Sequence, residues 1–372
     1  MSQVAKEIID NHFSIQNKTM SWKGLFDRGI QHLLEEQKNG FINTKHSMLF
    51  SKEIFQVEEE LQVTDIFQRA LIVDTFINAN EKVDLNLDTI IILELDYLRN
   101  SKRKDTIGGW SYFPDLIELP ADVDDLAQIL QAFCHYYPKS FFEDLFEIPI
   151  QTTLNEQANE DLGWETWILP KKNLTKEQQL QHEWIHKGWG TGSDVDVVAN
   201  FLYALNLYDK ERFENDIQKG LQFLYNKQSQ GAWGSTWYHG LNYGTFVSIK
   251  AICQNNGNKE VILNAINYLF KSRRTDGGWG LEDQESDSLQ TALALLGISI
   301  ASNYLDKEID SKWLDKSLQF LAERYTENKG WESCPFIKMP MGRPIGFVHT
   351  ILTYESAPIT TNFVTRACAA FF

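Results

Sequence analysis

Apolar residues recur along the chain in two alternating kinds of segment. In the first kind, one stripe of apolar side chains lies between polar ones, and Leu221–Leu224, Ile266–Leu269 and Leu318–Leu321 share one register. Leu95–Leu98 and His32–Leu34 follow this pattern less regularly. A helix with a single apolar stripe packs one face on a core and leaves the other in solvent. We therefore predict amphipathic outer helices at these positions.

The second kind of segment is apolar nearly all round and begins near Asp, Ser, Thr or Pro. Such helices are buried on all sides, so we predict six inner helices, each following an outer one. The predicted ranges are Val63–Phe76, Asp122–Phe133, Asp194–Leu205, Tyr243–Cys253, Ser288–Ile300 and Ile359–Phe371. We find no alternating strand pattern of any length, which favours an all-α protein.

Aromatic residues after a small residue mark the turns between the two kinds of helix. They are Gly40-Phe41, Gly109-Trp110, Gly188-Trp189, Ala232-Trp233, Gly278-Trp279 and Gly330-Trp331. The last three steps, from Trp189 to Trp331, are 44, 46 and 52 residues. A period of this size is typical of repeat architectures, whose units cannot bury their apolar faces singly. We predict a closed double ring, an (α/α)6 barrel, in which the repeat residues Trp110, Trp233, Trp279 and Trp331 pack the turns.

One repeat is longer than the others. It carries an insertion at about residues 138–187, which we expect to form a loop or lid at one barrel mouth. Pro335–Pro344 is a second irregular stretch. We expect one barrel domain over residues 1–372.

Composition narrows the classes of partner. The formal net charge is −16 and the pI about 5.0, which disfavours nucleic acid and electrostatic docking on anionic lipid. Residues 1–10 lack a cationic start followed by an apolar segment, and no apolar run approaches the roughly 20 residues of a spanning helix. The four cysteines form no CxxC pair. We expect a cytoplasmic protein with free thiols, no signal peptide and no transmembrane segment; transient contact with a membrane surface stays open.

Three carboxylates within four residues are the strongest chemical signal. Asp122, Asp124 and Asp125 precede an apolar run at helical spacing and follow an aromatic cluster. One such residue is an ordinary helix N-cap, and a charged capping loop is the alternative interpretation. In a dry cavity, burial and like charge raise a carboxyl pKa by about 3–5 units, each about 1.4 kcal/mol. The helix N-terminus opposes this by only about 0.3–2 kcal/mol. We predict a protonated carboxyl that acts as general acid on an apolar substrate.

A second acidic segment opens the next inner helix. Asp196 and Asn200 are four residues apart and share a helix face. An amide there can accept the acid's proton or donate to its carbonyl oxygen, which fixes the oxygen that carries hydrogen. A satisfied core amide is the alternative interpretation of Asn200.

Aromatic residues off the repeat are the candidates for a cavity wall. Each Trp or Tyr face attracts a cation with about 0.5–2 kcal/mol, without offering a nucleophile. The candidates are Trp237, Tyr243, Tyr112, Phe113 and Tyr354. The histidines show no HExxH or zinc spacing, and nucleophile signatures, P-loops and GxGxxG are missing from the sequence. We expect no metal and no cofactor.

Two sets of residues carry a resemblance to a known family. The segment Gly108–Asp125, with its Asp-Val-Asp-Asp, resembles the DxDD motif of class II terpene cyclases, the squalene–hopene cyclase family. The turns Gln228–Gly234 and Thr275–Gly280 resemble that family's QW motifs, and Ser286–Leu295 its following helix. The resemblance runs from about residue 95 to the C-terminus. It implies that the middle aspartate of the motif is the proton donor.

Carried over to this sequence, the resemblance implies that Asp124 is the proton donor and that Asp122 and Asp125 support it. Asn200 falls where the family places the acid's hydrogen-bond partner. Leu126 stands where Thr is common, and there is no acidic cluster of the kind that binds Mg–diphosphate. A chain of one barrel is similar to the monodomain class II cyclases of meroterpenoid pathways, which implies a geranylgeranylated dihydroxybenzoate as substrate.

The resemblance thus implies a cofactor-independent cyclase of a hydrophobic polyprenyl small molecule. Asp124 would protonate the terminal alkene of a folded all-trans chain, and a proton would finally be lost near Tyr354. Three alternatives remain open. They are a class II cyclase of a prenyl diphosphate, a protein prenyltransferase β-subunit, which would need a zinc-binding set not visible here, and a non-catalytic isoprenoid-binding (α/α)6 module.

Overall fold

The computed structural model describes residues 21–50, 60–341, 343 and 350–372. Within this part of the chain there are thirteen α-helices and four short strands. In chain order they are α1 Trp22–Lys38, β1 His46–Phe50, β2 Glu60–Thr64, α2 Ile66–Val83, α3 Asp88–Asn100, α4 Val123–Tyr136, α5 Glu143–Glu156, α6 Lys176–Lys187, α7 Val195–Asp209, α8 Glu214–Lys227, α9 Asn242–Gln254, α10 Lys259–Ser272, α11 Ser288–Leu305, α12 Ser311–Arg324, β3 Pro335–Met341, β4 Thr350–Glu355 and α13 Ala357–Ala369.

Six helices form a closed inner ring. α2, α4, α7, α9, α11 and α13 pack side by side in this order, and α13 returns to α2. Around them lie the outer helices α1, α3, α5, α8, α10 and α12. α11 is the one described helix that is long and apolar enough to cross a membrane, and 78% of it is buried inside the protein, as expected of a core helix. The all-α (α/α)6 barrel is confirmed.

A shared set of hydrogen bonds builds the turns of the barrel. The indole Nε1 of Trp233 donates to the carbonyl of Leu224 near the end of the preceding outer helix, at 2.7 Å. Its backbone N–H donates to the hydroxyl of Thr245 on the following inner helix, at 3.1 Å. Trp279 and Trp331 make the same two bonds, and Trp110 makes the indole bond. Each indole therefore ties an outer helix to its turn, as predicted for the repeat tryptophans.

The third turn is built by Trp164, whereas the sequence period had suggested Trp189. A Cβ added at Gly163 would lie 3.0 Å from the ring of Phe223, just as one at Gly278 would lie 2.7 Å from the ring of Phe320. Gly163-Trp164 thus occupies the place of Gly278-Trp279. The prediction was wrong because the extra residues of this long repeat lie after the turn. Trp189, at their end, therefore happened to continue the near-regular spacing.

The insertion predicted at about residues 138–187 consequently holds two different parts. α5 takes the place of the third outer helix, while the segment from Glu165 to Asp194, with α6, lies outside the repeat. One domain over residues 1–372 stays a prediction. Residues 1–20, which include the segment inspected for a signal peptide, lie outside the described residues.

Two antiparallel strand pairs, β1–β2 and β3–β4, correct the expectation of no strands. Glu60–Thr64 does alternate in sequence, but only over five residues, and its apolar positions Leu61 and Val63 are exposed while Gln62 is buried. β2 also takes Val63, with which the first inner helix was predicted to begin. β3 contains Pro335 and Pro340, which argue against a strand in sequence. It was predicted as irregular; Gly342 and Pro344 lie outside the described residues.

Candidate active site

The aspartate motif lies at the start of α4, at the mouth of the barrel. Asp122 is the N-cap and accepts a hydrogen bond from the backbone N–H of Asp125, at 2.8 Å. Its own N–H donates to the carbonyl of Trp110, at 2.9 Å, so the repeat turn fixes where the helix begins. Asp124 follows in the first turn of the helix. All three carboxylates are buried, with exposed fractions of 5%, 8% and 1% for Asp122, Asp124 and Asp125.

Burial raises the pKa of all three carboxyls. It raises the pKa of Asp124 to about 6, although hydrogen bonds from Tyr238 and Asn200 oppose the shift. Burial, with the charge of Asp124 adding to it, raises the pKa of Asp122 to about 7. The pKa of Asp125 lies well above its usual range through burial and the charges of its two neighbours. Desolvation is thus the main cause, and like charge is secondary.

Asn200 lies beside the middle carboxylate. Its Nδ2 donates to Oδ1 of Asp124, at 2.8 Å, and also lies 3.2 Å from the hydroxyl of Tyr243. Asp196, one turn earlier on α7, is fully buried and accepts a hydrogen bond from the N–H of Thr236, at 3.3 Å. Burial, with the charges of two neighbouring aspartates, raises the pKa of Asp196 to about 8. The structure brings Asn200 to Asp124 and leaves Asp196 behind the site.

A cavity opens in front of Asp124. Its wall is almost entirely apolar and aromatic, with the three motif carboxylates at one side. The lining residues are Phe67, Tyr112, Phe113, Leu119, Asp122, Asp124, Asp125, Thr166, Trp167, Trp189, Trp237, Tyr238, Ile337 and Met339. Of the aromatic residues predicted for the wall, Tyr112, Phe113 and Trp237 are among them. A concave, mostly apolar wall with a few polar groups is typical of a small-molecule site.

The other predicted wall residues lie behind this layer. The ring of Tyr243 stacks on that of Tyr238, with centroids 3.8 Å apart. The hydroxyl of Tyr354 donates to the backbone carbonyl of Thr44, at 2.5 Å, and its ring lies 4.8 Å from that of His46. In this arrangement Tyr243 and Tyr354 support the wall rather than form its surface.

Trp237 is held in the wall by polar contacts on its outer side. Its Nε1 donates to Oδ2 of Asp194, at 3.0 Å. Arg343 pairs with Oδ1 of the same carboxylate at 3.2 Å, and its guanidinium carbon lies 5.2 Å from the Trp237 ring centroid. Thr166 donates to Asp194 as well, at 2.8 Å. The indole orientation is therefore fixed before any ligand arrives.

Sequence reasoning missed several residues of the site. Tyr238, whose hydroxyl donates to Oδ2 of Asp124, stands next to Trp237 in the same glycine-rich aromatic segment, and that position was an available signal. Trp189 was assigned to the repeat. Ile337 and Met339 reach the cavity from β3, which the sequence did not reveal as a strand.

The site is equipped for proton transfer to an apolar molecule. Among the described residues, no group of three or more His, Cys, Asp or Glu side chains could hold a metal ion. Buried carboxyls with raised pKa values can keep protons near neutral pH. Aromatic faces beside them can stabilise positive charge without reacting with it.

Comparisons with known proteins relate the chain to a family. The family model of the squalene-hopene cyclase C-terminal domain matches residues 94–357. The terpene cyclase-glycosyl transferase fusion protein fsoA of Humicola fuscoatra is 28% identical over an alignment of length 208 that covers 50% of this chain. The chain spans only 14% of that relative's length.

Three solved structures are similar in fold. A variant of the type II terpene cyclase MstE from Scytonema, in complex with geranylgeranyl dihydroxybenzoate, has a TM-score of 0.69 at 15% identity, over 94% of this chain and 97% of that one. A protein from Actinoplanes has a TM-score of 0.68 at 14% identity, over 94% and 99%. The ent-copalyl diphosphate synthase from Streptomyces platensis has a TM-score of 0.55 at 14% identity, over 84% and 51%.

The family match extends from within α3 to the first residue of α13. It includes four of the six inner helices completely, together with the aspartate motif. The chain therefore belongs to the squalene-hopene cyclase C-terminal domain family, and its fold is that of the class II terpene cyclases.

Proposed function

We propose that this protein is a class II terpene cyclase in which Asp124 is the general acid. The observation that carries the proposal is a buried carboxyl, with its pKa raised to about 6, in the wall of an aromatic cavity. Asp124 would transfer its proton to a carbon of the terminal alkene of a folded all-trans polyprenyl chain. The transfer leaves an aspartate anion and a tertiary carbocation, which the other double bonds of the chain attack in succession.

The remaining residues of the site support this sequence of events. Asp122 and Asp125 are buried with raised pKa values, so they can stay neutral and add little charge that would hold the proton on Asp124. Trp237, Trp167 and Trp189 lie in the wall, where a cation–π contact contributes about 0.5–2 kcal/mol. A dry, preorganised site of this kind lowers the barrier mainly by electrostatics and by excluding water. Loss of a proton from the last cation closes the cycle, and solvent reprotonates Asp124.

For the substrate we propose a geranylgeranylated aromatic acid of the dihydroxybenzoate type. Support comes from the similar fold of MstE, whose complex holds geranylgeranyl dihydroxybenzoate, and from the apolar wall. The described residues offer no cluster of acidic ligands that would hold Mg²⁺ for a diphosphate group.

The experiment combines one variant with two substrates. Wild type and Asp124→Asn are incubated with geranylgeranyl dihydroxybenzoate and with geranylgeranyl diphosphate, each with Mg²⁺ and with EDTA, and products are identified by mass spectrometry. We expect wild type to cyclise the first substrate in EDTA. General acids contribute about 10²–10⁴-fold, and we expect Asp124→Asn to lose at least the upper value, because the amide keeps the size of the side chain but carries no acidic proton.

Two results would contradict the proposal. Cyclisation of the diphosphate alone, lost in EDTA and restored by Mg²⁺, would select a diphosphate cyclase instead. A folded Asp124→Asn protein with activity within tenfold of wild type would remove Asp124 from the mechanism. Circular dichroism and thermal melting establish that the variant is folded.

A further inference from the structure

We propose that Tyr238 is a positioning residue for the acid, whose phenol stabilises the carboxylate that Asp124 becomes when its proton leaves. This inference rests on the proposed function, in which Asp124 is the proton donor. Tyr238 lies in the loop before α9. It contacts the carboxyl oxygen of Asp124 that is not bound by the amide of Asn200 on α7.

Both oxygens of Asp124 have a donor. Asn200 donates to Oδ1, at 2.8 Å, and the hydroxyl of Tyr238 donates to Oδ2. When the proton moves to the alkene, negative charge grows on this carboxyl group. A hydrogen bond to an ionised acceptor is roughly twice as strong as one to a neutral acceptor. Two fixed donors therefore stabilise the transition state more than the resting acid, in the manner of an oxyanion hole.

Tyr238 is fixed in place independently of Asp124. Its backbone N–H donates to the hydroxyl of Ser235, at 3.0 Å. The residues on either side are bound to β3, through the N–H of His239 to the carbonyl of Phe336 and the N–H of Lys338 to the carbonyl of Trp237, both at 2.9 Å.

The ring is clamped as well as the backbone. It stacks on Tyr243 with centroids 3.8 Å apart and lies 4.9 Å from the ring of Phe336. The side chain is 2% exposed. A donor held this firmly needs no reorganisation during the proton transfer, and this property makes preorganised donors effective.

The competing interpretation is a core tyrosine whose hydroxyl takes the nearest acceptor. The two interpretations differ in what happens when the hydroxyl is removed. A packing role changes stability and leaves the chemistry alone. If the hydroxyl is a donor to the acid, its removal lowers the rate and raises the pH at which the acid titrates.

The first test is Tyr238→Phe, which keeps the stacked ring and removes the donor. We expect kcat at low pH to fall about 10²–10³-fold, the usual loss for one such donor, with little change in KM. Without a donor that favours the anion, Asp124 should hold its proton to higher pH. The alkaline limb of the pH–rate profile should therefore move to higher pH while its plateau falls.

A matched control is Tyr208→Phe. Tyr208 is also buried, 4% exposed, but lies near the far end of α7, away from the cavity. Its variant should keep both the rate and the pH profile of wild type. If Tyr238→Phe does not fold, 3-fluorotyrosine at position 238 serves instead. Its more acidic hydroxyl donates more strongly, so the limb should move to lower pH.

A direct titration of Asp124 separates this inference from the proposed function. Carbon-13 NMR of labelled aspartate, with Asp124→Asn to assign the signal, gives the pKa of Asp124 without any substrate. We expect a higher pKa in Tyr238→Phe. An unchanged pKa and a kcat within twofold of wild type, while Asp124→Asn is inactive, would overturn the role of Tyr238 alone. An active Asp124→Asn would overturn the proposed function itself.

Discussion

Asn200 Nδ2 and Asp124 Oδ1 are 2.8 Å apart, although 76 residues separate them in the chain. α4 and α7 are neighbours in the inner ring, so the bond joins the first turn of one helix to the second turn of the next. It also orients the carboxyl plane, because the amide is itself held by packing on all sides. The arrangement places the acid and its donor on two rigid elements rather than on loops.

Asn200→Ala should therefore slow cyclisation without abolishing it. The variant removes one of two donors, and the loss of one such donor costs about 10²-fold in kcat. Asp124→Asn, which removes the proton itself, should cost more. Steady-state kcat of both variants, with product analysis, checks this order. Equal rates for Asn200→Ala and wild type would show that Asn200 is a core amide without a role in catalysis.

Activity should fall as pH rises through the pKa of Asp124, about 6. The protonated carboxyl is the reactive form, so above this pH each unit removes about a factor of ten of the active species. Below it, the rate should reach a plateau until the protein unfolds. A pH profile of kcat/KM from pH 4.5 to 8.5, taken at substrate concentrations well below KM, reports the free enzyme and measures this limb. A rate that rises between pH 6 and 8 would exclude a carboxylic acid as the donor.

Much of the fold was predictable from the sequence. The inner helices are apolar nearly all round and the outer ones have a single apolar stripe, so the distribution of apolar residues in the sequence distinguished the two rings. The turn tryptophans were predictable as well, since the same indole bond recurs at Trp110, Trp233, Trp279 and Trp331. The third turn was not, because Trp189 happened to continue the spacing while Gly163-Trp164 occupies the place of the turn.

The acid and its amide donor were predictable because both lie on inner helices of the repeat, and three of the predicted wall aromatics, Tyr112, Phe113 and Trp237, line the cavity. Asp124 and Asn200 lie near the starts of two inner helices, and the repeat places these two helices side by side in the closed ring. The part contributed by β3 was hidden, because a strand containing Pro335 and Pro340 has no strand signature in sequence. Tyr243 and Tyr354 were predicted for the wall because they lie off the repeat, and this criterion cannot distinguish a ring on the cavity surface from one packed behind it.

Asp196→Asn should flatten the pH dependence of stability. The folded-state pKa of Asp196, about 8, lies above the usual value of 3.8 for an unfolded chain. Such a group stabilises the fold most below the unfolded pKa, and this contribution is lost as pH rises toward the folded pKa. The free energy of unfolding falls by up to about 1.4 kcal/mol per pH unit for each such group.

Urea denaturation at pH 5, 6, 7 and 8 measures the slope for Asp196→Asn and wild type. The asparagine cannot titrate, so its slope should be shallower. Asp283→Asn, at an exposed carboxyl, serves as the control and should keep the wild-type slope. Equal slopes for Asp196→Asn and wild type would show that Asp196 does not hold its proton in the folded state.

Trp279→Ala should act on stability. The indole is 1% exposed and its Nε1 donates to the carbonyl of Leu269, at 2.9 Å, where it ties α10 to the turn before α11. Removing a buried Trp side chain costs about 3–5 kcal/mol through lost burial and the cavity left behind. The melting temperature should fall sharply. In the fraction that stays folded, the ratio of cyclised products should match wild type.

Trp237→Leu should do the opposite, changing products while keeping the fold. Trp237 lies in the cavity wall, and its outer edge is bound to Asp194, which retains Thr166 and Arg343 as partners when the indole is removed. Leucine keeps an apolar surface but offers no face to a cation, so about 0.5–2 kcal/mol of stabilisation is lost at one point along the cyclising chain. Partly cyclised cations should then lose a proton early and give products with fewer rings. Gas chromatography with mass spectrometry resolves these from the wild-type product, and a melting temperature close to that of wild type distinguishes the effect from that of Trp279→Ala. An unchanged product distribution would place Trp237 with the packing tryptophans and leave the cation to the other rings of the wall.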